Sequence, residues 1–203
     1  NIEQELLNLN SEILQWQPDA ILILWRLDEL IPATKTNIRL SVEDEKDSLN
    51  MTKGRILSLI DGYQDSVRCP LFISTLPIQK SFDLLDIHNI CGKRNAHDIL
   101  NLTIMGIASE KEQIHIFDFA GWAAEYGAAA FDNKMDYFAG QPIAAKALGS
   151  FSKFFARSFR PMFQPSAKVL ALDLDNVLWG GILGEDGPSN LQINNDFPGN
   201  IYL

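Results

Sequence analysis

The segment Lys168-Val-Leu-Ala-Leu-Asp-Leu-Asp-Asn-Val-Leu-Trp-Gly-Gly-Ile-Leu-Gly-Glu-Asp-Gly187 combines an apolar run, two aspartates and a glycine-rich tail. The run Lys168–Asp173 predicts a β-strand covered on both faces, as in a parallel sheet. Asp173 and Asp175 lie where this strand ends, and ligands of open α/β sheets bind at the carboxyl ends of the strands. The segment therefore predicts a ligand site at a sheet edge.

Upstream of this segment the chain alternates between strand-like and helix-like patterns. Short apolar runs at residues 20–25, 67–77 and 113–119 predict further strands. Because helical patterns separate them, we expect an α/β fold with a parallel, Rossmann-like sheet and right-handed crossovers. The predicted helices span residues 2–16, 44–63, 95–109, 122–130 and 141–159.

The prolines from Pro161 to Pro165 mark a predicted domain boundary. Residues 1–165 then form one α/β domain, and residues 166–203 hold the first strand of a second domain. A single strand with about thirty residues cannot bury a core of its own. We therefore expect residues 176–203 to pack poorly or to borrow cover from the first domain. The start at Asn1, without an initiator Met, predicts that the chain begins within a longer protein.

The net charge, the cysteine content and the lengths of the apolar runs limit which partners and which cellular compartment we expect. The formal net charge of −9 argues against nucleic acid and anionic membranes, because binding to phosphates requires Lys and Arg to displace counterions. Cys69 and Cys91 show neither a disulfide framework nor metal-ligand spacing. No apolar run reaches the ~18 residues of a membrane helix. These features predict a soluble, cytoplasmic protein.

The two aspartates suit phosphoryl transfer. One carboxylate can attack phosphorus and form an aspartyl-phosphate, while a second protonates the leaving oxygen and later activates water. Two anionic groups repel an anionic phosphate unless a cation intervenes, so charge balance predicts Mg²⁺. The glycines at 180, 181 and 184 would allow a tight turn near a ligand, and Trp179 could exclude water. The alternative is a plain polar strand end with an Asx-turn.

The apolar run, the Asp-Leu-Asp-Asn-Val motif ending at Val177 and the tail Leu178-Trp-Gly-Gly-Ile-Leu-Gly-Glu-Asp-Gly187 together resemble the haloacid dehalogenase (HAD) superfamily, specifically its FkbH-like subfamily IIIC. The resemblance implies that Asp173 is the nucleophile and Asp175 the general acid/base. It also implies that the Asp173 side chain and the Asp175 backbone carbonyl hold Mg²⁺. Val177 replaces the usual Thr. The family's later phosphate ligand, Lys and distal metal-binding acid are expected beyond residue 203.

Upstream segments resemble the SGNH-hydrolase-like domain that precedes the phosphatase-like domain in longer members of this family. The resemblance implies an SGNH-like domain at residues 1–165, incomplete at its start, and a truncated HAD-like domain at 166–203. The Gly-Asp-Ser and Asp-x-x-His motifs of hydrolytic SGNH domains are absent from the sequence. The resemblance rests on Trp16-Gln-Pro-Asp-Ala-Ile-Leu-Ile-Leu24, His115-Ile-Phe-Asp-Phe119 and Phe131-Asp-Asn-Lys-Met-Asp-Tyr-Phe138.

Two hypotheses for function follow. FkbH-like proteins are associated with loading a glyceryl group from a glycolytic bisphosphate onto an acyl-carrier protein in polyketide pathways, through a Cys thiol. The first hypothesis is a fragment of a Mg²⁺-dependent phosphatase or acyl-phosphate transferase that acts on a phosphorylated small molecule. No Cys lies immediately before Asp173, which counts against glyceryl transfer. The alternative is a non-catalytic α/β module that binds an acyl-carrier protein.

We expect structural roles for the histidines and for Cys69. No two of His88, His97 and His115 have close spacing, and His115 lies within a predicted strand. Cys69 is expected to be a small buried hydrophobe. Cys91 is a candidate reactive thiol, since the cations that follow it would lower the pKa of the thiol.

Three further segments have plain structural interpretations. Ser74 and Thr75 are expected to form the polar end of a strand. Residues 132–136 read as a solvated loop. The aromatic stripe of Phe151, Phe154, Phe155 and Phe159 is expected to be helix core or inter-domain packing rather than a groove for a lipid or acyl chain.

Overall fold

The computed structural model divides the chain into two compact units, Asn1–Ser158 and Phe159–Leu203. His88 and Cys91 lie outside the described residues. Assignment of the units to an SGNH-like and a HAD-like domain stays a prediction. The residues that the structure describes are 2–8, 10–32, 41–67, 69–78, 93–164, 168–169 and 171–193.

The first unit contains a parallel sheet of three strands in the order β1-β2-β3. The strands are β1 Ile21–Ile23, β2 Leu71–Ser74 and β3 Ile114–Phe117. All four residues of β2 are buried, because this middle strand is paired on both edges and covered on both faces. The predicted α/β class with a parallel sheet is confirmed.

Helices connect and cover the strands. Among the described residues, no helix is both long and apolar enough to cross a membrane. The helices are α1 Ile2–Leu7, α2 Glu12–Gln15, α3 Leu27–Leu30, α4 Val42–Ser66, α5 Lys93–Glu110, α6 Phe119–Tyr126, α7 Asn133–Ala139, α8 Leu148–Phe163 and α9 Leu183–Asp186.

Side-chain caps explain two differences from the predicted helices. The single helix predicted over residues 2–16 is divided, because Ser11 accepts a hydrogen bond from the N–H of Leu14 and starts α2 afresh. Residues 132–136, predicted as a loop, mostly lie in α7. There Asp132 accepts hydrogen bonds from the N–H groups of Lys134 and Met135 and caps the helix.

Helix α8 also runs further than predicted. It continues through Pro161 to Phe163, so the predicted break begins too early. Proline has no N–H to donate to the carbonyl four residues earlier, so one hydrogen bond of the helix is lost at Pro161, and the helix ends two residues later. The division between the two units falls within this helix, after Ser158.

The core of the first unit lies between the sheet and the long helices α4 and α5. Tyr63 of α4 and Leu100 of α5 are both fully buried, as are Leu71 and Ile73 of β2. The Tyr63 hydroxyl donates a hydrogen bond of 2.8 Å to the carbonyl of Cys69. Tyrosine is thus accommodated in an apolar core because its polar end has a partner.

Aromatic packing joins α8 to the end of β3. The ring centroid of Phe117 lies 6.1 Å from that of Phe151, 4.8 Å from Phe154 and 6.1 Å from Phe155. Such distances are typical of edge-to-face and tilted ring pairs. These rings therefore pack against the end of β3, but the predicted helix core is reached in part: Phe159 is buried, whereas Phe155 is 41% exposed.

In the second unit, the strand predicted at Lys168–Asp173 is not formed by the described residues. None of its described residues is in a strand, and Val169 is 84% exposed. A strand is maintained by hydrogen bonds to a neighbour, and the described part of this unit shows only isolated bridges. Residues 176–193 carry half-exposed apolar side chains such as Val177 and Ile193, which agrees with the expected loose packing.

We expect Ile73→Ala to lower the free energy of unfolding by about 2–5 kcal/mol, because it leaves a cavity beside β2. Leu102→Ala is the matched control, since Leu102 lies on α5 and is 65% exposed. Its effect should stay within about 0.5 kcal/mol. Urea denaturation followed by circular dichroism measures both values. Equal losses would contradict the placement of Ile73 in the core.

Candidate functional site

The loop that follows residue 172 contains both predicted catalytic aspartates. Asp173 is exposed, and its Oδ1 accepts a hydrogen bond of 2.9 Å from the N–H of Leu174. Asp175 is half-buried, and its Oδ1 accepts two hydrogen bonds of 3.1 Å, from Trp179 Nε1 and from the N–H of Leu183. One carboxylate therefore faces solvent while the other is held by two donors.

A tight turn brings Trp179 back beside Asp175. Asn176 has a left-handed backbone with φ of 58°, which Asn tolerates better than most residues. The N–H groups of Val177 and Leu178 both donate to the carbonyl of Leu174, at 3.3 and 3.0 Å, and close the turn. Sequence reasoning missed this geometry, although an Asn directly after the second aspartate was the available signal.

Among the glycines predicted to allow a tight turn, Gly181 meets that requirement. Its φ is +107°, and a Cβ there would lie 3.0 Å from the Asp186 carboxylate. The N–H of Gly181 also donates to the side chain of Asn176 at 3.0 Å. Gly180 instead pairs with Gln192 in an antiparallel bridge. Gly184 has no atom near its Cβ position and a negative φ.

Carboxylate oxygens are the candidate metal ligands of this loop. The predicted ligands Asp173 and Asp175 lie in one turn, two positions apart. In the part of the chain that the structure describes, no group of three or more His, Cys, Asp or Glu side chains could hold a metal ion. Among the described residues, no third side chain of these types therefore joins Asp173 and Asp175.

A second polar cluster lies at the carboxyl edge of the sheet in the first unit. The buried Ser74 hydroxyl accepts a hydrogen bond of 2.9 Å from the N–H of Trp25. Thr75 Oγ1 accepts from the N–H of Ala120 at 2.9 Å and donates to Asp118 at 3.1 Å. These bonds tie the ends of the strands together, which agrees with the structural role expected for Ser74 and Thr75.

His97 belongs to the same edge and is also structural. It is 5% exposed, with Nδ1 2.8 Å from Asp98 Oδ1 and Nε2 2.7 Å from the carbonyl of Leu76. Asn101 Oδ1 accepts a hydrogen bond of 2.7 Å from the N–H of Leu76. Nε2 of His97 thus anchors the chain after β2 to α5, while Nδ1 contacts the neighbouring carboxylate within α5, so both ring nitrogens are already engaged.

Arg26 links the end of β1 to α7. Its guanidinium lies 2.8 Å from Glu29 and 2.5 Å from Asp136. Burial lowers the pKa of Arg26, but its hydrogen bonds to the two carboxylates outweigh this and raise the pKa overall. The Arg26–Asp136 pair was missed at the level of sequence, because its members are far apart along the chain.

The comparisons with known proteins concern the fold. No family model and no curated protein matches the chain. Among solved structures, the chain is similar to the N-terminal part of the protein BF1531 from Bacteroides fragilis, which contains a phosphatase domain complexed with Mg. The sequence identity is 20% and the TM-score 0.71, over 99% of this chain. The match covers 53% of the other chain, so this chain spans about half its length.

The Asp98 carboxylate should make the stability of the fold depend on pH. Burial raises the pKa of Asp98, but hydrogen bonds from His97 and Arg94, together with their charges, lower it overall. Such a carboxylate stabilises the fold above its unfolded pKa of about 3.9, and this contribution is lost as the pH falls through the lower folded pKa. We expect Asp98→Asn to unfold at lower urea concentration than the wild type at about pH 5, with the difference shrinking towards about pH 2.

Ile73→Val is the control, because it lowers stability without changing a titratable group. Its difference from the wild type should be the same at both pH values. A constant difference for Asp98→Asn as well would show that the Asp98 carboxylate is not stabilised by its partners.

Proposed function

We propose that this chain belongs to a Mg²⁺-dependent phosphatase-type enzyme of the HAD kind, with Asp173 as its nucleophile. The observation that carries the proposal is the asymmetry of the two aspartates. Asp173 is exposed to an incoming substrate, whereas Asp175 is held in the same turn by Trp179 and Leu183. The likeness of the fold to a Mg-bound phosphatase domain supports this assignment.

The proposed reaction proceeds through an aspartyl-phosphate. A carboxylate oxygen of Asp173 attacks the phosphorus of a phosphate monoester, and the bond from phosphorus to the leaving oxygen breaks. Asp175 in its acid form gives its proton to that oxygen. In the second half, Asp175 takes a proton from water, whose oxygen attacks phosphorus as the bond from phosphorus to the Asp173 oxygen breaks. Inorganic phosphate leaves, and Asp173 and Asp175 return to their starting states.

The available donors fit Mg²⁺. The Asp173 side chain and the Asp175 backbone carbonyl are oxygen donors, which Mg²⁺ prefers over nitrogen and sulfur. Mg²⁺ is commonly held by one or two carboxylates together with water and substrate phosphate, so one carboxylate and one backbone carbonyl suit this ion. When bound, the ion would offset the repulsion between the carboxylates and the phosphate.

Within the FkbH-like resemblance, phosphate release is better supported than glyceryl transfer. Transfer through a thioester needs a reactive thiol. The sulfur of Cys69 lies 3.1 Å from the hydroxyl of the fully buried Tyr63, beside the core of the first unit. That position suits packing rather than acyl transfer. A role with an acyl-carrier protein in a polyketide or other secondary-metabolite pathway is therefore a narrower proposal that depends on another thiol, for which Cys91 is the candidate in this chain.

We expect Asp173→Asn to reduce Mg²⁺-dependent phosphate release by the full-length protein at least about 10³-fold, because the covalent nucleophile is removed. Glu185→Gln is the matched control, since it neutralises an exposed carboxylate on α9 outside the proposed machinery. Release of inorganic phosphate from p-nitrophenyl phosphate, with Mg²⁺ and after chelation with EDTA, measures both variants. Retention of Mg²⁺-dependent activity by Asp173→Asn would end the proposed mechanism.

The second candidate function is a docking role for the first unit. Tyr137 and Phe138 on α7 are 85% and 74% exposed, and their rings form an edge-to-face pair with centroids 5.3 Å apart. Exposed aromatic side chains are enriched where proteins bind one another. This favours a protein-binding surface, and the proposed partner is an acyl-carrier protein.

We expect Tyr137→Ser to weaken binding of an acyl-carrier protein about tenfold or more if these rings are the contact. Trp16→Ser is the control, because Trp16 is 78% exposed but lies outside α7. Calorimetric titration of the full-length protein measures the affinity. Equal affinity of both variants and the wild type would remove this surface from consideration.

A further inference from the structure

The Asp175 carboxyl group is held through one of its two oxygens. Its Oδ1 accepts the indole N–H of Trp179 and the N–H of Leu183, each at 3.1 Å. Among the described residues, no hydrogen bond to its Oδ2 is present. Two donors on Oδ1 leave Oδ2 as the oxygen that is better placed to give or accept a proton. The two oxygens of Asp175 are therefore chemically distinct before any substrate binds.

The Trp179 contact is directional. An indole N–H can only donate, so it pairs best with a carboxyl oxygen that carries no proton. The turn at Asn176 and the isolated bridge between Asp175 and Trp179 hold the ring where this bond forms. Leu183 supplies its N–H from the first position of α9, where a backbone donor has no partner within the helix. The backbone of the loop thus places both donors, the indole N–H of Trp179 and the backbone N–H of Leu183, beside Asp175.

We infer that Trp179 is a positioning residue of the proposed phosphatase reaction. Together with the N–H of Leu183, it fixes the Asp175 carboxyl so that Oδ2 exchanges the proton with the leaving oxygen and then with water. Trp179 does not touch the substrate in this role; it acts through Asp175. The inference rests on the proposed function, since it assigns the geometry of the acid/base in that reaction.

The hydrogen bond itself can be tested without catalysis. The chain has four Trp residues, and the indole N–H of Trp179 is identified in a ¹H–¹⁵N spectrum as the signal lost in Trp179→Phe. Asp175→Asn should shift this signal, whereas the signal of the exposed Trp16 should not move. An unmoved Trp179 signal would overturn the inference, because the indole would not be bound to Asp175.

The kinetic test uses Trp179→Phe, which keeps an aromatic ring and removes the N–H. A poorly oriented acid/base slows the chemical step, so kcat for p-nitrophenyl phosphate should fall about 10- to 100-fold with KM changed less than about twofold. Trp16→Phe is the control and should retain wild-type kinetics. A rise in KM with unchanged kcat would instead assign Trp179 to substrate binding and overturn the inference.

A double-mutant cycle separates positioning from general damage. If Trp179 acts through Asp175, adding Trp179→Phe to Asp175→Asn should cause no further loss of kcat. A full further loss would overturn the inference. If Asp173→Asn retains activity, the proposed function itself fails. An inactive Asp173→Asn with a fully active Trp179→Phe would reject only the positioning role.

Leu183→Pro provides an independent variant if Trp179→Phe does not fold. It removes the second donor to Asp175 at the first helical position, where proline is well accepted. The preceding Ile182 has an extended backbone, φ −113° and ψ 114°, which is compatible with a following proline. We expect the same selective fall in kcat. Wild-type kcat in a folded Leu183→Pro would count against the two-donor arrangement.

Discussion

The pairing of β2 between β1 and β3 is the constraint on which the first unit depends. Each backbone N–H and C=O of a buried strand must have a partner, because water cannot supply one. Leu71 to Ser74 are all buried, and the strands on either side provide these partners. The sheet in turn gives α4 and α5 a flat apolar surface to cover. Removing either neighbour would leave β2 with unsatisfied groups in the core.

The same rule explains the polar groups at the carboxyl edge of the sheet. Where the ladder ends, side chains replace strand neighbours as hydrogen-bonding partners. Ser74 satisfies the N–H of Trp25, and Asn101 satisfies the N–H of Leu76. In many α/β proteins this edge binds ligands. Here the described polar side chains largely join one strand end to the next. The phosphate chemistry is accordingly proposed for Asp173 and not for this edge.

Features that depend on residues close together in the sequence were predicted more accurately than features that depend on contacts between distant residues. The three strands of the sheet were predicted because apolar runs report burial directly, and the Asp173–Asp175 motif was found because its chemistry lies within a few residues. The Arg26–Asp136 pair was not predictable in this way, since it joins distant segments. The split near Ser11 depends on one local cap competing with an otherwise continuous apolar pattern. The spacing of apolar residues alone does not reveal such a cap.

The second unit shows the same distinction within one short segment. The turn around Asp175 forms from hydrogen bonds between residues that are close in sequence, to Leu174, Trp179 and Leu183. The preceding run at Lys168–Asp173 is apolar enough for a strand, but a strand needs a hydrogen-bonded neighbour. Local interactions therefore orient the carboxylate of Asp175, the proposed acid/base, without the strand that the sequence predicted before it. The orientation of the Asp175 side chain is accordingly determined within its own loop, by donors four and eight residues further along the chain.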